Sequence, residues 1–239
     1  MLALSATTRS QFASIMRISG PLIVNYLAVA GMNLADIMMS GRLGADALAA
    51  VAVGSNTWML AFSACLGLLM ALSPIIARLY GAGDVRKIGR YARHGMYLGF
   101  GLGLLILLFG RPLAEVLLTT IGIDPEFRPL AVAYVRALLF GAPGILMFIA
   151  LRFTVEGVGY TRPIMFTSLF SLACNVFLNY TLMFGNFGAP ALGVEGCAWA
   201  SAITMWVVWL ALASYISVSP RLKELGVFTR LGQFRPQLL

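Results

Sequence analysis

Between Gly20 and Met39 the chain reads GPLIVNYLAVAGMNLADIMM, and its one charged side chain is Asp36. A carboxylate carried to the middle of a bilayer-length segment costs about 2.5–3.5 kcal/mol on insertion scales, so an acid in that position is read first as functional. Two roles suit it. It could take up and release a proton or a small cation, or it could be a structural acid capped by polar neighbours. Asn33 precedes Asp36 by three residues, Met32 by four, and Ser40 follows by four, which puts them on one helical face. Asn25 lies further back on a similar side. A second segment, SLACNVFLNYTLMF, carries Asn175 and Asn179 at i and i+4, stacked on a common face. Amides inside hydrocarbon need hydrogen-bond partners. Setting the Asn175/Asn179 face against the Asp36 face supplies them: an ionised Asp36 accepts from amide NH2 groups, and a protonated one donates. Interhelical adhesion alone is the other role open to the two asparagines. Ser201 is a supporting candidate, with small-residue packing as its alternative, and Asn33 is another.

The rest of the chain offers little chemistry. His94 reads as part of an arginine-rich connector, and Glu156, between Arg152 and Arg162, as a salt-bridged loop. Cys65, Cys174 and Cys197 lie in apolar stretches without CxxC spacing and read as small packing residues. The 12 methionines and many aromatics could line an adaptable cavity, although lipid-facing and packing positions absorb most of them. There is no P-loop, HExxH, GxSxG or zinc spacing, so the chain is not expected to be an enzyme. No cofactor is expected beyond a coupling H+ or Na+, and no metal beyond Na+ at Asp36.

These residues must be held by elements that suit the composition. The chain is 60% hydrophobic and 11% charged, with mean hydropathy +0.88. Soluble domains carry about 25% charged residues, so the natural solvent here is a bilayer. Its 239 residues suffice for six spans of ~20 residues with short connections. Apolar stretches at 15–40, 48–77, 95–121, 130–151, 163–184 and 195–218 predict an all-α, six-helix transmembrane bundle over 1–219. Pro163 suits a helix N1 position, and Pro21, Pro74 and Pro143 fall within or near the ends of spans, where neighbours can re-satisfy a freed carbonyl. The first apolar segment is too long for a signal-peptide core, and no internal repeat stands out.

Lys and Arg total 17 against 9 Asp and Glu, a net +8. Assigning the connectors to alternate sides puts thirteen of the 17 with the two termini and four, Arg42, Arg111, Arg128 and Arg136, on the other side. This bias predicts cytoplasmic termini and a multi-pass protein of a bacterial inner (plasma) membrane. It also accounts for the charge without nucleic acid, for which no basic–aromatic run exists.

Four segments then resemble the multidrug and toxic compound extrusion (MATE) family, in particular its NorM-type branch: ADIMMSGRLGADALAAVAVG at 35–54, LSPIIARLYGAGD at 72–84, LRFTVEGVGYTRP at 151–163 and NVFLNYTLMFGNFGAPALGVEGCAWASA at 175–202. They occur in the family's order and spacing. The resemblance implies efflux of amphipathic, often cationic, compounds in antiport with H+ or Na+. It also implies that Asp36 is the first-helix cation or proton site, with Asn175 and Asn179 as its fifth-helix partners. Some members carry an acid where this chain has Asn179 and a tyrosine where it has Met32. Members have twelve helices in two lobes around a central cleft; the match is to the N-terminal lobe alone, and 220–239 resembles the start of the cytoplasmic inter-lobe linker. A second six-helix lobe is therefore an expected partner, and a truncated or split gene product is one expectation for the chain. Two rival expectations are a flippase for a lipid-linked precursor, which would favour cations in the cleft, and a non-transporting membrane fragment or subunit.

Overall fold

The computed structural model describes residues 6–125 and 127–228, with side chains at 15 and 16 and from 19 onward. Residues 1–5, Glu126 and 229–239, and with the last group most of the linker-like tail, lie outside the described residues, as do the side chains of Arg9 and Arg17.

Every regular element among the described residues is helical. In chain order they are α1 (Ala6–Gly41), α2 (Ala45–Met70), α3 (Leu72–Gly81), α4 (Val85–Thr120), α5 (Arg128–Leu139), α6 (Ala142–Gly157), α7 (Arg162–Phe184), α8 (Gly193–Val218) and α9 (Pro220–Lys223), with a 3-10 turn at Asn186–Gly188. Five stretches are long and apolar enough to cross a bilayer: Ser19–Gly41, Ala45–Gly81, Val85–Thr120, Arg162–Phe184 and Gly193–Val218. Where the sequence predicts a single helix over 130–151, the structure has the pair α5 and α6, bent by 50°, which makes a sixth span if the two are counted as one.

Prolines explain both interruptions. Pro143 has no N–H for the carbonyl of Leu139, and α5 ends at Leu139. Pro74 stands in the same relation to Met70, where α2 ends. At the α5–α6 bend a neighbour repairs part of the loss: the Trp206 indole Nε1 on α8 donates to the carbonyl of Phe140 at 2.8 Å. Pro21 and Pro112, by contrast, sit inside α1 and α4 without ending them.

Glycines set the closest packing. A Cβ on Gly99 of α4 would stand 2.7 Å from the carbonyl oxygen of Leu146, and one on Gly103 would overlap the backbone of Pro143, so α4 and α6 touch backbone to backbone. Gly196 brings α8 against the Leu182 carbonyl of α7 in the same way. Two apolar clusters fill the interior, one around Ile88, Met96, Leu146 and Leu212, the other around Val51, Tyr134, Leu138 and Cys197. Large apolar side chains such as Leu60, Leu68, Phe109 and Phe166 stand exposed on the outside, as a lipid-facing surface requires.

Two connectors read from sequence are more ordered than expected. Helix α4 begins at Val85, capped by the Asp84 carboxylate, which meets Lys87 Nζ at 2.6 Å; that lysine holds the Asp84 carboxyl below the usual carboxylate range. His94 is thus a buried helical residue, its Nδ1 2.8 Å from the Arg90 carbonyl, and not part of a loop. Glu156 lies in the last turns of α6, paired with Arg152 at 2.7 Å, while the Arg152 guanidinium sits 5.6 Å from the centre of the Tyr26 ring. After α9 the chain folds back: Leu222, Leu225 and Val227 are buried, and Arg93 Nη1 donates to the carbonyls of Gly226 at 2.5 Å and Val227 at 3.2 Å.

Candidate functional site

Helix α7 lies between α1 and α8, and its inner face carries a column of polar residues. Ser168, Ser171, Asn175 and Asn179 are all buried, the two asparagines completely. Their spacing of three and four residues keeps them on one stripe. The facing stripe of α1 is formed by Asn25, Met32 and Asp36, separated by seven and four residues and so nearly aligned at 100° per residue. Three polar contacts tie the two helices together. Ser168 Oγ donates to Asn25 Oδ1 at 2.5 Å, Ser171 Oγ to the Met32 sulfur at 3.3 Å, and Asn179 Nδ2 to Asp36 Oδ1 at 2.5 Å.

From Asp36 the network continues inward. Asn179 Nδ2 also donates to Asn175 Oδ1 at 3.2 Å, and Asn175 Nδ2 donates to Ser201 Oγ on α8 at 3.2 Å. One carboxylate, two amides and one hydroxyl thus link α1, α7 and α8. Asn179 Oδ1 is buried and has no partner among the described residues. In a low-dielectric interior such a lone acceptor is costly, and it marks the point at which an added proton or cation would be most welcome.

The structure separates the sequence-derived candidates. Asp36, Asn175, Asn179 and Ser201 come together: Asn179 makes the short hydrogen bond to the carboxylate, Asn175 bonds Ser201, and both Asn175 and Ser201 also lie against the carboxyl. Asn33 does not join them. It is exposed, because one step from Met32 turns it 100° away from the stripe that faces α7. Ser40 is buried, but its hydroxyl donates to the Ile37 carbonyl of its own helix, 3.1 Å away.

Sequence reasoning missed two neighbours. Cys197, one turn before Ser201 on α8, is fully buried with its thiol beside the Asp36 carboxyl. Tyr134 of α5 is 2% exposed, and its hydroxyl lies 3.1 Å from Ser55 Oγ of α2, in the apolar cluster that also holds Cys197. A Cβ on Gly54 would run into the Tyr134 ring, so this glycine makes the space for it. Neither residue repeats along its helix, so periodicity could not flag it. On the outer side of the same helix pair, Ala35, Met38, Met39, Leu172, Val176 and Tyr180 line an open apolar groove of about 770 Å3. Among the described residues no three His, Cys, Asp or Glu side chains gather as a metal centre.

Comparison with known proteins places this architecture. The MatE family model matches residues 21–181. The multidrug resistance protein MdtK of Edwardsiella ictaluri (strain 93-146) is 36% identical over 211 residues, covering 88% of this chain and 46% of that protein, so the chain spans about half the length of this relative. Among solved structures, a MOP superfamily transporter from Pyrococcus furiosus superposes with a TM-score of 0.77 at 28% identity, over 86% of this chain and 44% of that one. The eukaryotic MATE transporter AtDTX14, at 21% identity, shares the fold with a TM-score of 0.83 over 93% of this chain and 49% of its own. The chain is a multi-pass membrane protein that belongs to the MatE family, the multidrug and toxic compound extrusion transporters, and its helices form the N-terminal lobe of that fold.

Proposed function

We propose that the chain supplies the N-terminal half of a secondary multidrug efflux transporter, exporting amphipathic or cationic compounds, with Asp36 exchanging the coupling ion. The observation that carries this reading is the 2.5 Å bond from Asn179 to a carboxylate set within an apolar span. Protonation of Asp36 would turn an acceptor into a donor. The donated hydrogen bond then suits the unpartnered Asn179 Oδ1, and a rotation of that one amide would exchange the two states. A sodium ion would suit the same place: carboxylate, amide carbonyl and hydroxyl oxygens of Asp36, Asn175, Asn179 and Ser201 are hard donors, and transporter sites hold Na+ or H+ at such midplane positions. Either ion would change how α1 is tied to α7 and bias the lobe between two arrangements.

A second six-helix lobe completes the central cleft in this reading. Both termini face the cytoplasm of a bacterial plasma membrane, in keeping with the thirteen-to-four distribution of Lys and Arg. An acid with amides, in place of cations, at the buried core favours cationic cargo over a pyrophosphate-bearing lipid. The test is drug resistance in cells expressing this lobe joined to its second half. Asp36→Asn should abolish resistance while the protein still inserts in the membrane, and full resistance in that variant would refute the coupling role. Transport measured under separate sodium and pH gradients identifies the ion.

A further inference from the structure

The end of the bundle that carries the α1–α2, α4–α5 and α7–α8 connections has few basic residues, namely Arg42, Arg111, Arg128 and Arg136. The fold gathers three of those four in one place. The last turns of α4 and one face of α5 border an open pocket of about 360 Å3 lined by Arg111, Glu115, Arg128, Arg136 and the apolar Pro129 and Val132. Arg128, Val132 and Arg136 follow at intervals of four, one above another on α5.

Within the pocket lining the cations outnumber the acids. Glu115 is already held by Arg111, Nε to Oε1 at 2.9 Å. Arg128 Nη2 donates to the Ile123 carbonyl at 2.9 Å, but its Nε is buried without a partner among the described residues. Arg136 has neither an ion pair nor a hydrogen bond among the described residues, although it sits about 12 Å along α5 from Arg128 at 1.5 Å per residue. The lining of this pocket thus holds three guanidinium groups and one carboxylate, with Asp124 and Glu126 in the connector before Arg128, and nothing in the proposed efflux chemistry uses the guanidinium groups.

The geometry points to a binding site for the phosphate of an anionic phospholipid. Guanidinium forks match phosphate oxygens in pairs, which a point charge cannot do. The surroundings select a lipid over a soluble anion. Pro129, Val132 and Ala133 give the pocket an apolar wall for the glycerol and upper acyl carbons. The site is independent of Asp36.

The test uses the whole chain in nanodiscs containing phosphatidylglycerol and phosphatidylcholine, with retained lipid counted by native mass spectrometry after ejection. Preferential retention of phosphatidylglycerol is expected. Arg136→Gln and Arg128→Gln should each weaken retention about fivefold, the effect of one cation at an anionic surface. Arg136→Lys, which keeps the charge but loses the fork, should bind between the parent and Arg136→Gln, and this separates charge loss from misfolding. Arg42→Gln, at the same end but outside the pocket, should change nothing. Equal retention of the two lipids, or undiminished preference in the Arg136→Gln and Arg128→Gln variants, overturns the site. Displacement of the lipid by millimolar inorganic phosphate would make it a free-anion site and overturn the lipid assignment.

Discussion

The bond between Asn179 and Asp36 can be weighed by a double-mutant cycle of Asn179→Ala, Asp36→Ala and the pair. The 2.5 Å contact joins an amide NH2 to a carboxyl group between two helices. If the acid is ionised, this is a hydrogen bond to a charged group, worth about 1.5–3 kcal/mol. Hydrogen bonds between neutral groups in membrane helices couple by about 0.6 kcal/mol on average and reach about 1.7 at most. The structure adds to the first figure, since Asn179 is fully buried and water cannot replace it. A coupling energy above about 1.7 kcal/mol therefore reports a charged Asp36, and a value near 0.6 a neutral one. Unfolding of the purified chain in bicelles, followed by steric trapping, gives the four free energies. The same cycle run at acid and at neutral pH shows whether the bond changes character with protonation. Additivity within about 0.3 kcal/mol at both, the behaviour of residues that do not interact, would refute the contact and with it the coupling scheme.

Other outcomes follow from single contacts. Asn33→Ala, at an exposed position away from α7, should stay within about 0.5 kcal/mol of the parent in the same unfolding assay, and a larger loss would return Asn33 to the network. Gly103→Leu, which drives a side chain into the backbone of Pro143, should destabilise by at least about 1–3 kcal/mol; an unchanged unfolding midpoint would argue against the α4–α6 contact. Trp206→Phe keeps a ring against Trp209 but removes the donor to Phe140, for an expected loss of about 1 kcal/mol; no loss would mean that the carbonyl is satisfied otherwise. Arg93→Met should release the segment around Gly226, read as faster cleavage after Arg221 and Lys223 by trypsin, and an unchanged digestion rate would count against the clamp.

Much of the fold is legible because a bilayer forces hydrocarbon-length apolar runs, and those runs survive in the sequence whatever packs against them. The facing of Asn179 and Asp36 could be read from one lone acid and one i,i+4 amide pair, since polar groups in apolar helices have few places to go. Asn33 misleads because three-residue spacing admits a face 60° wide of Asp36, and only the position of α7 decides which side of Asp36 is inward. Tyr134 and Ser55 are invisible for the opposite reason: each is a single polar atom on an apolar helix, and their meeting depends on Gly54, 80 positions before Tyr134 in three-dimensional contact but silent in any local pattern. The helix breaks at Met70 and Leu139 were within reach of the sequence, four residues before Pro74 and Pro143. Membrane prolines at Pro21 and Pro112 show why that signal alone does not suffice.

The elbow between α5 and α6 has a consequence for how this protein tolerates change. Two positions around it have no room for a methyl group, Gly103 across on α4 and Gly141 against Met205 and Ala202 of α8, and Gly144 is tight against Trp206 of α8. Polar substitution already costs most halfway across a span; here even added methyl groups should be rejected, so that a saturation library scored for folded protein finds its least mutable stretch at mid-depth, clustered around Pro143, with apolar as well as polar changes excluded.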